Sequence, residues 1–161
     1  MPACFPVPTR STLEGVLGTL VASPIKIQLA RDIEHGRDTP GVFAEYVDDR
    51  DELCVLAFAN HVLVNLLGGA LVDTPQNVVE EATSKFVMNE GCLDGFREIA
   101  NVLASSLNSS DTPHVRFREL TVAPGGMSEE VKALWRDHRA RRCYSVAVAR
   151  LGQGALILYL G

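Results

Sequence analysis

Asp94, Glu98, Asn101, Ser105 and Asn108 follow one another at steps of four, three, four and three residues. At 100° per residue these five polar side chains form one stripe of a helix, while Leu93, Phe96, Ala100, Leu103 and Leu107 share another face, expected to be core. Glu98 and Asn101 stand one turn apart. A carboxylate, which only accepts hydrogen bonds, therefore projects beside a neutral carboxamide, which both donates and accepts. The plain reading of such a stripe is the solvated side of an amphipathic helix. The chemical reading is a site made of two residues.

Other chemistries find little support. His35, His61, His114 and His138 have no common spacing and no matching Cys or carboxylate, so no metal site is expected. Cys4, Cys54, Cys92 and Cys143 are scattered singly, and Met1-Pro2-Ala3-Cys4 does not read as a secretory leader, which together predict reduced thiols in the cytoplasm. No nucleophile elbow, Walker loop or dinucleotide fingerprint is present. Pro124-Gly125-Gly126 reads as a turn before a helix. The basic run Arg136, His138, Arg139, Arg141 and Arg142 reads as a solvated helix end favoured by the helix dipole, with docking of an acidic surface as the alternative. Asn60 and Asn65 read as satisfied cap or core polar groups.

The elements that must hold the stripe follow from periodicity. An irregular N-terminus over residues 1–10 precedes a helix opened by Ser11-Thr12, with Leu13, Val16, Leu17, Leu20 and Val21 on one face. Alternation over Ile25, Ile27 and Leu29 predicts a strand, and 42–47 and 52–57 predict two more. Residues 59–72 read as a nearly all-apolar helix whose Gly68-Gly69 lets another element approach closely. Thr74 is expected to cap a helix starting at Pro75, running to Asn89 and ended by Gly91. The stripe helix covers 93–107. A strand over 114–122, a helix capped by Ser128 and a C-terminal hairpin of 144–149 and 155–160 complete an α+β order with a largely antiparallel sheet.

The 161 residues suffice for one domain, with room for two similar halves. With 47% hydrophobic and 22% charged residues the chain can bury a core, and its net charge of -5 and 6% aromatic content argue against nucleic acid as partner. Polar residues interrupt the most apolar stretch, 53–72, so no membrane span is expected.

Asp94, Glu98, Asn101 and, after 22 further residues, Pro124 fit the string Asp/Ser-x-x-x-Glu-x-x-Asn followed by Pro. This string resembles the signature of the CheC, CheX and FliY chemotaxis phosphatases. The element order resembles the CheX-type domain along nearly the whole chain. One such site resembles CheX; in the first helix Glu14 is followed by Leu17 where a second site would need Asn. Where family members often carry a Gly-containing run after the Asn, this chain has Val102-Leu103-Ala104-Ser105-Ser106.

The resemblance implies a CheC/CheX-like α+β fold and a phosphatase acting on a phosphorylated aspartate of a CheY-like response regulator. In-line hydrolysis of an acyl phosphate needs an aligned water. Asn101 would orient it without adding charge, and Glu98 would contact the regulator's lysine. Asp94 and Ser105 would shape the docking surface, and Pro124 would set a structural loop. The regulator would supply Mg²⁺, so no cofactor is expected on this chain. A homodimer is implied, paired through the C-terminal hairpin or an edge strand. The alternative is a non-catalytic binding module of the same fold, as in flagellar switch proteins that lack the Glu-x-x-Asn pair.

Overall fold

The computed structural model describes residues 5–31, 33 and 38–161; Cys4 and His35 lie outside the described residues. Thr9 caps the first helix, its side chain accepting from the Thr12 N–H, and α1 runs over Arg10–Val21. Strands β1 (Ile25–Ala30), β2 (Gly41–Val47) and β3 (Leu53–Asn60) follow. Asn60 then turns the chain. Its Oδ1 accepts from the Leu63 and Ala155 N–H groups, starting a helical run over α2 (His61–Leu63), a π-helical turn (Val64–Gly68) and α3 (Gly69–Leu71). Helices α4 (Gln76–Ser84) and α5 (Glu90–Leu103) come next, and a 3-10 turn (Ala104–Leu107) extends α5. The chain closes with β4 (Arg116–Ala123), α6 (Glu129–Asp137), β5 (Ala140–Val148) and β6 (Gly152–Leu160).

The six strands of the described residues join one antiparallel sheet in the order β1-β5-β6-β3-β2-β4. The order makes two halves visible. A helix leads to an outer strand in each (α1 to β1, α5 to β4), and a later antiparallel pair fills the centre. The outer strand of each half pairs with the central pair of the other. Alternation along the strands separates two cores. Ala44, Tyr46, Val55, Ala57 and Leu158 pack under α1, α5 and the π-helical turn. Phe43, Leu56, Phe58, Ile157 and Tyr159 pack under α6, through Val131 and Trp135. With both faces covered, β2 is buried along its whole length.

Several expectations need correction. Residues 59 and 60 are strand, because Ala59 pairs with Val42 and Leu156 and Asn60 with Gly41. Thr74 is not a cap: its hydroxyl faces the Cys92 thiol, and Pro75 occupies the cap position, its carbonyl taking the Val78 and Val79 N–H groups. The helix expected to reach Asn89 stops at Ser84. Asn89 instead caps the next helix, which places Gly91 inside its first turn. The stretch before α1 is irregular as expected over residues 5–9, and it is packed: Phe5 is buried and the Pro8 carbonyl accepts from the Tyr144 hydroxyl. The basic run is not one helix end. Arg136 closes α6, whereas Arg141 and Arg142 belong to β5, with Arg141 over the Tyr159 ring and bonded to the Ile33 carbonyl. The C-terminal hairpin lies inside the sheet, so the open edges are β1 and β4.

Among the described residues, no helix is long and apolar enough to cross a membrane, and no group of three or more His, Cys, Asp or Glu could hold a metal ion. Cys54, Cys92 and Cys143 are free thiols.

Candidate active site

The stripe sits on α5, and the sequence dictates how firmly this helix is held. Its N-terminus is closed by Asn89, whose Oδ1 accepts from the Cys92 N–H at 3.1 Å. Asn89 is itself fixed by the buried Asn65, whose Oδ1 accepts the Asn89 N–H at 3.0 Å. Along its inner face Cys92, Gly95, Phe96, Ile99, Ala100 and Leu103 are buried. Leu93, expected in the core, is partly buried at its margin, and Ile99 takes the central place.

The closest contact is backbone against backbone. A Cβ on Gly68 would stand 1.8 Å from the Cys92 carbonyl oxygen, and one on Gly95 would stand 2.4 Å from the Gly68 carbonyl oxygen. Only two glycines allow this crossing. The expected close approach at Gly68-Gly69 is thus realised against α5, with Gly95 as the partner that periodicity alone did not reveal. Near the other end the Ala104 N–H turns to the Asn101 carbonyl, tightening the helix, and the Ala100 carbonyl takes the buried Tyr46 hydroxyl at 2.7 Å. Tyr46, on β2, is a positioning residue that the sequence did not announce.

On this clamped helix the outer face carries the candidate residues. Asp94, Glu98, Asn101 and Ser105 are all exposed. Asp94 pairs with Arg97 at 2.9 Å, and the Ser105 hydroxyl donates back to the Val102 carbonyl at 2.9 Å. The side chains of Glu98 and Asn101, one turn apart at roughly 5–6 Å between Cβ atoms, have no hydrogen-bond partner among the described residues. Their full bonding capacity faces outward. Asn108, the last member of the stripe, is structural: it bonds the Ala104 and Val115 carbonyls and the Val115 N–H, tying the helix end to the start of β4. Pro124 is not brought to the pair. It follows a cis Ala123–Pro124 bond at the end of β4 and shares a cavity with Met127, Lys132, Trp135 and Arg136 on the α6 side of the sheet.

The corresponding positions of α1 are spent on the fold. The Glu14 carboxylate accepts the Ile27 N–H at 2.8 Å, and Leu17 is 0% exposed. The second helix of the pair therefore offers no Glu-x-x-Asn surface.

No protein-family model matches the chain, and no curated protein matches it in sequence. Solved structures do match. The chemotaxis protein CheX from Vibrio vulnificus aligns with a TM-score of 0.53 at 13% identity, over 94% of this chain and 95% of that one. The FliM middle domain from H. pylori gives 0.52 at 10% identity, over 94% and 84%. FliY from Thermotoga maritima gives 0.51 at 8% identity, over 92% and 82%. This chain has the CheC/CheX-type α+β fold. At these identities the likeness is one of fold, and any activity has to be argued from α5.

Proposed function

We propose that this protein is a CheX-like phosphatase that hydrolyses the phosphorylated aspartate of a CheY-like response regulator. The observation that supports this reading is the pairing of Glu98 and Asn101: exposed, free of partners and held on a helix clamped from behind. A reacting group approached by a second protein must offer unsatisfied donors and acceptors without reorganising, and these two do.

The regulator brings the acyl phosphate, its Mg²⁺ and a lysine. Asn101 accepts a hydrogen from the attacking water and donates to a neighbouring acceptor, aligning the water's lone pair with the phosphorus. Being neutral, it adds no repulsion against the phosphoryl oxygens. Glu98 accepts from the regulator's lysine in a charge-assisted contact and sets the register of the two proteins. Asp94 and Ser105 border the docking surface, Asp94 by keeping Arg97 folded back. Water adds to phosphorus, the aspartyl carboxylate leaves and inorganic phosphate is released.

The same reading carries a homodimer. Both open edges carry an exposed apolar side chain, Leu29 on β1 at 64% and Val122 on β4 at 45%; because Glu14 already occupies a backbone donor of β1, β4 is the edge assigned to the pairing. Sedimentation at increasing concentration tests this, with Val122→Lys expected to favour the monomer.

A second reading rests on the fold, which matches FliM middle domains about as well as CheX. In it the domain binds a partner without chemistry. Mixing the protein with a Mg²⁺-loaded, phosphorylated regulator separates the two. The phosphatase reading predicts faster phosphoryl loss than the regulator shows alone; binding with unchanged decay would establish the module instead.

A further inference from the structure

Between the π-interrupted helical run, α4 and the β5–β6 turn lies a cavity of about 430 Å³. Its apolar walls come from three elements: Val62, Leu66 and Ala70 of the π-interrupted helical run, Val79 of α4, and Leu151 at the β5–β6 turn. The size is that of a small-molecule site, and the pattern of apolar walls with a few polar groups at the rim is what such sites share.

We propose that this cavity binds a small apolar molecule carrying an ammonium or other strong hydrogen-bond donor, and that α5 registers its presence. The head-group chemistry follows from the rim. Among the described residues Glu80 is the one charged residue that lines the cavity; its Oε1 takes the Gln76 amide at 3.0 Å, and its Oε2 has no partner there. A donor on the ligand fits there, whereas an anion meets a carboxylate in a chain of net charge -5.

The link to α5 is short. Thr83 lines the cavity and takes a hydrogen from buried Asn65, and Asn65 accepts the N–H of the α5 cap Asn89. Thr74 lines the cavity and faces the Cys92 thiol in the first turn of α5. The wall that bears Leu66 is the π-helical turn whose Gly68 rests on Gly95 with no side chain between. π-helical turns inside α-helices are rare and occur frequently at functional sites. A ligand that spreads this wall therefore moves the backbone of α5 directly. None of this depends on the chemistry of Glu98 and Asn101, so the site can be tested without any regulator.

The test is a titration followed by methyl and amide NMR, with tryptamine as probe and indole-3-propionate as its anionic counterpart. Tryptamine is expected to shift the Val62, Leu66, Val79 and Leu151 methyls saturably, together with the Cys92 and Gly95 amides. Indole-3-propionate, which exchanges the attraction to Glu80 for a repulsion, is expected to bind about tenfold more weakly. Ala70→Phe, which fills the cavity, should weaken tryptamine at least about tenfold, as loss of a buried apolar group does. Gln153→Trp, at the exposed mouth, serves the same purpose should Ala70→Phe misfold. Glu80→Gln should weaken it about threefold, the size of an exposed charge pair. Equal binding of the two indoles, binding unaffected by both filled variants, or methyl shifts that leave the α5 amides still would each overturn the proposal.

Discussion

Glu98 and Asn101 differ from the other members of the polar stripe in what their side chains leave unused. Asp94 is paired, Ser105 bonds back to its own helix and Asn108 joins two elements. Substituting either free residue should therefore leave the fold intact: Glu98→Ala and Asn101→Ala are expected within about 0.5 kcal/mol of the parent in urea denaturation, as for surface changes without contacts. Tyr46→Phe should behave oppositely. It removes the donor from the buried Ala100 carbonyl and is expected to cost about 1–2 kcal/mol in the same experiment. The exposed pair was legible because a three-residue step on a regular helix fixes its direction. Tyr46 was not, since its partner lies 54 residues away and nothing local marks it.

The element that matters most is α5 against the π-helical turn. Gly95→Ala would drive a methyl to 2.4 Å from the Gly68 carbonyl oxygen. Overpacking of this kind is expected to cost about 2–3 kcal/mol, visible as an earlier urea midpoint, and to displace the outer face that carries Glu98 and Asn101. Helix existence was readable from the apolar period, but helix ends were not. Thr74-Pro75 has the composition of a helix start, yet Thr74 is turned to the Cys92 thiol, and the stop expected at Gly91 gave way to the Asn89 cap. In both cases a tertiary contact overrode local chemistry.

His61, at the junction of β3 and α2, adds a pH signature. Burial holds its pKa below the ordinary value of 6.5, and its Nδ1 has no hydrogen-bond partner. The unfolded chain thus binds a proton that the folded chain refuses. Stability is complete above the unfolded value and falls as pH drops from there toward the lowered folded value. Urea midpoints measured at neutral pH and at about pH 6 should separate more for the parent than for His61→Gln. Equal separations would contradict the assignment.

At the scale of the whole molecule, the sheet is a two-sided wall whose faces do different work. The α5 side presents the candidate site. The α6 side is locked by charge: buried Glu45 on β2 bonds Thr121 and pairs with Arg118 on β4 at 2.6 Å, and Arg118 reaches Glu130 of α6 at 2.9 Å. The Glu45 contact also raises the Arg118 pKa further above its usual value. Arg118→Leu strands a buried carboxylate and is expected to cost about 3 kcal/mol in chemical denaturation. The α+β class and antiparallel pairing could be read from the strand and helix order. The swap of outer strands between halves could not, because β1 and β5 are joined only by contacts more than a hundred residues apart. For the same reason the C-terminal hairpin looked like an edge and proved central.

In the phosphatase reading proposed above these scales meet in a single requirement: if the metal, lysine and phosphoryl group come with the substrate, this protein needs to contribute only a rigid Glu and Asn. The most direct test is the rate of phosphoryl loss from a Mg²⁺-loaded, phosphorylated CheY-like regulator with the parent protein and with Asn101→Ala. The parent is expected to accelerate loss, and the variant to lose about a hundredfold of that acceleration, the usual consequence of a misplaced reactant, while still binding the regulator. Acceleration that persists undiminished in Asn101→Ala would contradict the role given to this residue.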